Sequence, residues 1–123
     1  MKLRGFTLIE LMVVIAIIAT LLTLAVPRYF GSLEKSREAV LKENLHVMRD
    51  SLQKFYSDKG KYPDKLEQLE RDQYLRKIPV DPITGSATTW IIVQPQDAAK
   101  GGVFDVQSGA PGKASDGTPY GEW

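Results

Sequence analysis

Apolar positions fall into three regimes along the chain. From Phe6 to Val26 they are nearly continuous, and those 21 residues carry one charge, Glu10. At about 1.5 Å of rise per residue, a helix of that length crosses a hydrocarbon core of about 30 Å. In lipid a helix satisfies its own backbone, so the run predicts one despite its branched Val13, Val14, Ile15, Ile17 and Ile18. Pro27 lacks an N–H and its ring crowds the carbonyl of Thr23, which predicts a kink and not a stop.

After Arg28 the spacing changes to three and four. Leu41, Leu45, Met48, Leu52 and Phe55 share one helical face, with Val40, Val47 and Tyr56 beside them. Lys35, Arg37, Lys42, Glu43, Arg49 and Asp50 fall mostly off that stripe. One long helix therefore changes character partway, from lipid-facing to amphipathic. Gly60 ends it, with Lys59 and Lys61 at the negative end of the dipole and Pro63 beyond.

The third regime is short and broken. Asp64-Lys65-Leu66-Glu67 reads as a capping box opening a brief helix with Leu66 and Leu69. The prolines and glycine of Ile78 to Gly85 predict a loop. Thr88 to Val93 is the best strand, and Gln94 to Gly102 a turn region. Val103 to Ser108 alternates as a second, antiparallel strand that buries Phe104 and Val106. The Gly- and Pro-rich tail, Gly109 to Trp123, is expected to be pinned by Tyr120 and Trp123. The fold class is α+β: a long N-terminal helix, half membrane-spanning and half amphipathic, packed on a small antiparallel sheet.

Charge and composition narrow the role. Lys2 and Arg4 precede the span, which predicts an N-terminus on the cytoplasmic side and everything after Pro27 on the opposite side of the membrane. A charge at mid-span costs about 2.5 to 3.5 kcal/mol and less near an end, so Glu10 needs a partner. Removing Lys2 and Arg4 takes the formal charge from +1 to −1, a balance with no nucleic-acid footprint. With no cysteine, neither a disulfide nor a thiolate metal site can form. No phosphate loop, nucleophile motif or metal motif is present, and enzymatic activity is not expected. His46, the single histidine, sits beside Leu45 and Val47 as a surface or boundary residue. Phe55, Tyr56, Tyr62 and Trp90 fit a core against the sheet, and the charge-dense Asp64 to Lys77 a solvated face.

The stretch Gly5-Phe6-Thr7-Leu8-Ile9-Glu10, with basic residues before it and the apolar run after, resembles the leader of type IV pilins and pseudopilins. An ordinary secretory signal has a shorter apolar region and a small-residue cleavage site; a plain anchor explains neither Gly5 nor Glu10. The resemblance implies removal of residues 1–5 by a prepilin peptidase, which cuts between Gly5 and Phe6 and methylates the new amine of Phe6. It makes 6–27 the membrane and filament-core helix, with Pro27 at the family's kink, and 28–123 a periplasmic domain in a lollipop fold. It gives Glu10 the assembly role, as partner of a neighbouring subunit's amine. Lys61-Tyr62-Pro63, Pro79-Val80-Asp81-Pro82 and Phe104-Asp105-Val106 further resemble the major pseudopilins of type II secretion, the branch called G.

That branch implies a homopolymer joined through N-terminal helices, working with minor pseudopilins and an inner-membrane assembly platform to export folded proteins. A type IV pilus subunit and a DNA-uptake competence pseudopilin are the alternatives. Major pseudopilins often bind Ca²⁺ in the C-terminal loop, and Ser108 and Asp116 are the candidates here. Calcium wants six to eight oxygens and usually several carboxylates, whereas this tail offers Asp116 and Glu122, so a solvated turn at Asp116-Gly117 is the simpler expectation.

Overall fold

The computed structural model describes residues 4–123; Lys2, part of the expected leader, lies outside the described residues. The chain runs α1 (Leu8–Lys59), α2 (Glu67–Arg71), β1 (Ile91–Val93) and β2 (Asp105–Gln107), with 3₁₀ turns at Ala98–Lys100 and Tyr120–Glu122. It divides into two compact units, one ending at Glu34 and the other Lys35–Trp123.

In the first unit the apolar side chains of α1 face outward all round, Leu8 through Leu24. By length and composition α1 is the one helix among the described residues able to cross a membrane. Its two threonine hydroxyls are satisfied internally: Thr20 Oγ1 donates to Ala16 O at 2.8 Å and Thr23 Oγ1 to Ala19 O at 2.7 Å. Such back-bonding removes the cost of presenting a bare hydroxyl to lipid. Pro27 lies inside α1 and does not stop it.

The second unit is built on the amphipathic part of α1. Leu41, Leu45, Met48, Leu52 and Phe55 are all buried, as their spacing predicts, and Val40 and Val47 at the stripe's margin stay exposed. Each fully buried side chain of this kind contributes about 1.5–3 kcal/mol, so the stripe anchors the unit. Leu66, Leu69, Leu75, Ile78, Trp90, Val103, Val106 and Tyr120 close over it. Gly60 ends α1 at φ 73°, where a side chain is disfavoured.

Three expectations are corrected in detail. The two strands pair antiparallel, Ile92 opposite Val106, but each has only three residues. Val103 takes the core position intended for Phe104: Val103 is 1% exposed and Phe104 45%. The cause is that the Gly102 and Val103 N–H groups both donate to Pro63 O, so regular pairing and its alternation begin only afterwards. The capping box at Asp64 to Glu67 does not form. α2 has Leu66 at its N-cap with no side-chain cap, and Gln68 Oε1 accepts from Asp64 N at 3.0 Å instead.

Candidate processing and assembly site

The residues ahead of α1, Arg4 to Thr7, are not helical, so the Gly5–Phe6 bond lies outside the helix. Phe6 is 87% exposed. A peptide bond in a helix is held in its hydrogen-bond ladder; one ahead of the first turn is free to enter an enzyme's cleft in extended form.

What fixes the helix start is a reciprocal pair. Thr7 N donates to Glu10 Oε2 at 3.0 Å, and Glu10 N donates to Thr7 Oγ1 at 3.1 Å. This capping box satisfies two of the N–H groups that any helix start leaves without partners. The Glu10 carboxylate also sits at the positive end of the dipole. Glu10 thus closes the helix start just after Gly5 and Phe6 through its contact with Thr7, whereas Pro27 lies far along α1. Thr7 was not singled out from the sequence, although Thr-x-x-Glu before an apolar run is the signature of such a box.

The calcium candidates part company. Ser108 is 2% exposed, and its Oγ donates to Asp81 Oδ2 at 2.6 Å and accepts from Ala110 N at 3.1 Å. Asp116 is exposed, and its Oδ1 accepts from Thr118 Oγ1 at 2.6 Å and Thr118 N at 3.0 Å. The Thr118 hydroxyl first, then its amide, hold the Asp116 carboxyl below its ordinary pKa. Asp81 Oδ1 accepts from Ile83 N at 2.8 Å. These carboxylates face protons of N–H and O–H groups, not a shared point where a cation could take their lone pairs. No cluster of three metal-ligating carboxylates or histidines occurs among the described residues. The donor set does not fit calcium.

Further residues of the second unit escaped the sequence reading. Glu38 is buried on α1 and binds Ser115. Its signal was readable, since position 38 continues the stripe of 41, 45, 48, 52 and 55 with a charge. Arg49 donates through Nε to Asp105 Oδ1 at 2.8 Å and through Nη2 to Val106 O at 2.9 Å and to Trp123 O. His46 is exposed, beside a shallow cavity lined by Lys42, Arg49, Asp116 and Trp123.

The prokaryotic N-terminal methylation motif matches residues 1–26. Type II secretion system core protein G of Klebsiella pneumoniae is 30% identical, the match covering 64% of this chain and 68% of that protein. Core protein G of Escherichia coli K12 is 29% identical, over 89% of this chain and 83% of that protein. Type IV major pilin protein PilA of Myxococcus xanthus DK1622 is 41% identical, over 54% of this chain. The chain spans only 30% of that pilin's length. No solved structure is significantly similar to the chain.

Proposed function

The chain belongs to the family of type II secretion system core protein G, and from that premise we propose how it is processed, anchored and assembled. Its role is that of a structural subunit of the type II secretion pseudopilus, the filament that drives folded proteins across the outer membrane. Matches to core protein G extend over 98% of the chain, through the sheet and tail, whereas the pilin match stops at about half of it. That extent favours secretion over a type IV pilus.

The observation that carries the assembly reading is the capping box. Prepilin peptidase cuts the exposed Gly5–Phe6 bond ahead of it, removing residues 1–5 and methylating the Phe6 amine. Residues 6–27 hold the subunit in the inner membrane, N-terminus inward, with residues 28–123 on the periplasmic side. A model α-amine titrates near about 8, so Phe6 is mostly cationic at neutral pH. Glu10 then exchanges Thr7 N–H for the methylated amine of a neighbouring subunit. A buried pair of this kind adds little net stability, but removing one side costs about 3–5 kcal/mol, which makes it a register device. Head-to-tail repetition of a heterologous contact gives an open filament. The platform that extracts the subunits, and the minor pseudopilins, are the partners this cycle requires.

The test is cross-linking. The chain has no cysteine, so two cysteines placed in each chain along Leu11 to Val26 can link a span to both of its neighbours. The parent should give a ladder of cross-linked species, and Glu10→Ala should be processed normally but lose the ladder. An unchanged ladder in Glu10→Ala would overturn the pairing.

A further inference from the structure

The tail from Gly109 onward has little regular structure, yet Ala110, Ala114 and Tyr120 are buried. Its tip is a tight turn: Ala114 N donates to Thr118 O at 2.8 Å, Gly117 N to Ala114 O at 3.0 Å, and Lys113 bridges Pro119. Within the turn Asp116 binds Thr118, and Trp123 Nε1 donates to Thr118 Oγ1 at 2.7 Å. A loop of this composition loses much conformational entropy when it orders, about 1–2 kcal/mol per residue, and something must hold it.

Glu38 does so. Its two oxygens fork onto one residue: Oε1 accepts from Ser115 N and Oε2 from Ser115 Oγ, both at 2.7 Å. Tyr120 OH adds a longer contact of 3.4 Å to Oε1. The carboxylate is therefore engaged by one donor within the turn and another just after it, 77 and 82 residues away in sequence. Farther along the same helix, Lys42 Nζ lies 4.6 Å from the centre of the Trp123 ring, and Arg49 binds Trp123 O.

We propose that Glu38 is an internal lock for the C-terminal tail: its carboxylate, and not a bound cation, organises the turn, so that this pseudopilin folds its tail without metal. A cation organises a loop by gathering oxygens around one positive centre. Here the arrangement is inverted: one negative centre on a rigid helix gathers N–H and O–H donors from the loop. Charge-assisted hydrogen bonds of this length are about twice as strong as neutral ones. The device also sets register, because the fork accepts an amide and a hydroxyl from the same residue. It leaves the turn at Lys113 to Gly117 as a fixed, polar outer surface.

The experiment is limited proteolysis of the full chain in detergent, which depends on neither secretion nor assembly. Lys113 is exposed, and trypsin cutting after it releases residues 114–123, measured by mass. The parent should release this fragment at one rate in calcium and in chelator. Glu38→Ala should release it about tenfold faster, since the turn then loses a charged acceptor and opens locally. Ser115→Ala removes one donor at an exposed position and should raise the rate by a smaller factor, so the lock remains testable if Glu38→Ala fails to fold. Calcium slowing the parent's cleavage, or chelator speeding it, would overturn the inference. So would unchanged cleavage in the folded variants.

Discussion

Replacing Asp81 by alanine should be the most damaging single polar substitution in the unit Lys35–Trp123. The side chain is fully buried, and it ties the proline loop to the end of β2. Its Oδ1 accepts from Ile83 N at 2.8 Å and Thr84 N at 3.4 Å, and its Oδ2 accepts from Ser108 Oγ at 2.6 Å. Alanine removes both acceptor atoms and all three hydrogen bonds. Ser108 is itself buried, so its hydroxyl proton finds no water, and a buried donor left unpaired costs about 1–3 kcal/mol. The two amides are partly accessible, and the one at 3.4 Å was weak, so the sum is about 3–5 kcal/mol. Domains of this size are stable by about 5–15 kcal/mol and lose about 4–8 °C per kcal/mol, so the melting point should fall by about 15 °C or more. Asp81→Asn should cost less, about 1–2 kcal/mol: it keeps the acceptor for Ile83 N and forces only the Ser108 hydroxyl to turn. Trp90 is a built-in reporter, buried beside the same loop with Nε1 donating to Pro79 O at 2.9 Å. Thermal melts of the full chain in detergent, followed by tryptophan fluorescence, give the comparison. An Asp81→Ala variant melting within a few degrees of the parent would refute the account of this knot.

Thr7→Val removes the N-cap oxygen, worth about 0.5–2 kcal/mol of helix start, and should slow processing at Gly5–Phe6 in a pulse–chase, with Thr7→Ser restoring it. Gly101→Ala should destabilise the domain: φ is 109° there, and an added Cβ would meet Tyr62 O. Strain of this kind costs about 1–3 kcal/mol, read in the same melts. Glu38 also predicts a pH signature. The Ser115 hydroxyl, then its amide, lower its pKa below the ordinary glutamate value of 4.5, with Tyr120 helping, and burial and Asp116 opposing. A lowered folded value means stability fully present above that ordinary value and lost as pH falls through the folded one. The destabilisation caused by Glu38→Ala should thus be constant near neutrality and shrink in acid; a gap that widens in acid would contradict it.

The helical half of this protein was legible because each position of the stripe from Leu41 to Phe55 repeats the same physical demand. The end at Gly60 was equally plain, since few residues but glycine accept φ 73° cheaply. The sheet was legible only in kind. Val103 displaced Phe104 from the core because two consecutive amides bind Pro63 O, a partner forty residues away that no local pattern names. The two capping boxes are instructive together. The Thr7–Glu10 pattern precedes a long helix and forms. The Asp64–Glu67 pattern precedes a helix of five residues whose first turn already begins with Lys65 O accepting Gln68 N, and Gln68 displaces Glu67 as the side chain that reaches back. Glu38, Arg49 and Asp81 act across long sequence separations, so their partners could not be read off, although a charge on an otherwise apolar stripe was itself a signal at Glu38.

The most direct test of the central claim compares secreted proteins with surface pili in a clean deletion strain, complemented by the parent chain or by Glu10→Ala. The account predicts that secreted enzymes disappear from the culture supernatant while pili and twitching persist. The parent should restore secretion and Glu10→Ala should not. Loss of pili or twitching with secretion intact would contradict it and move this subunit to a type IV pilus.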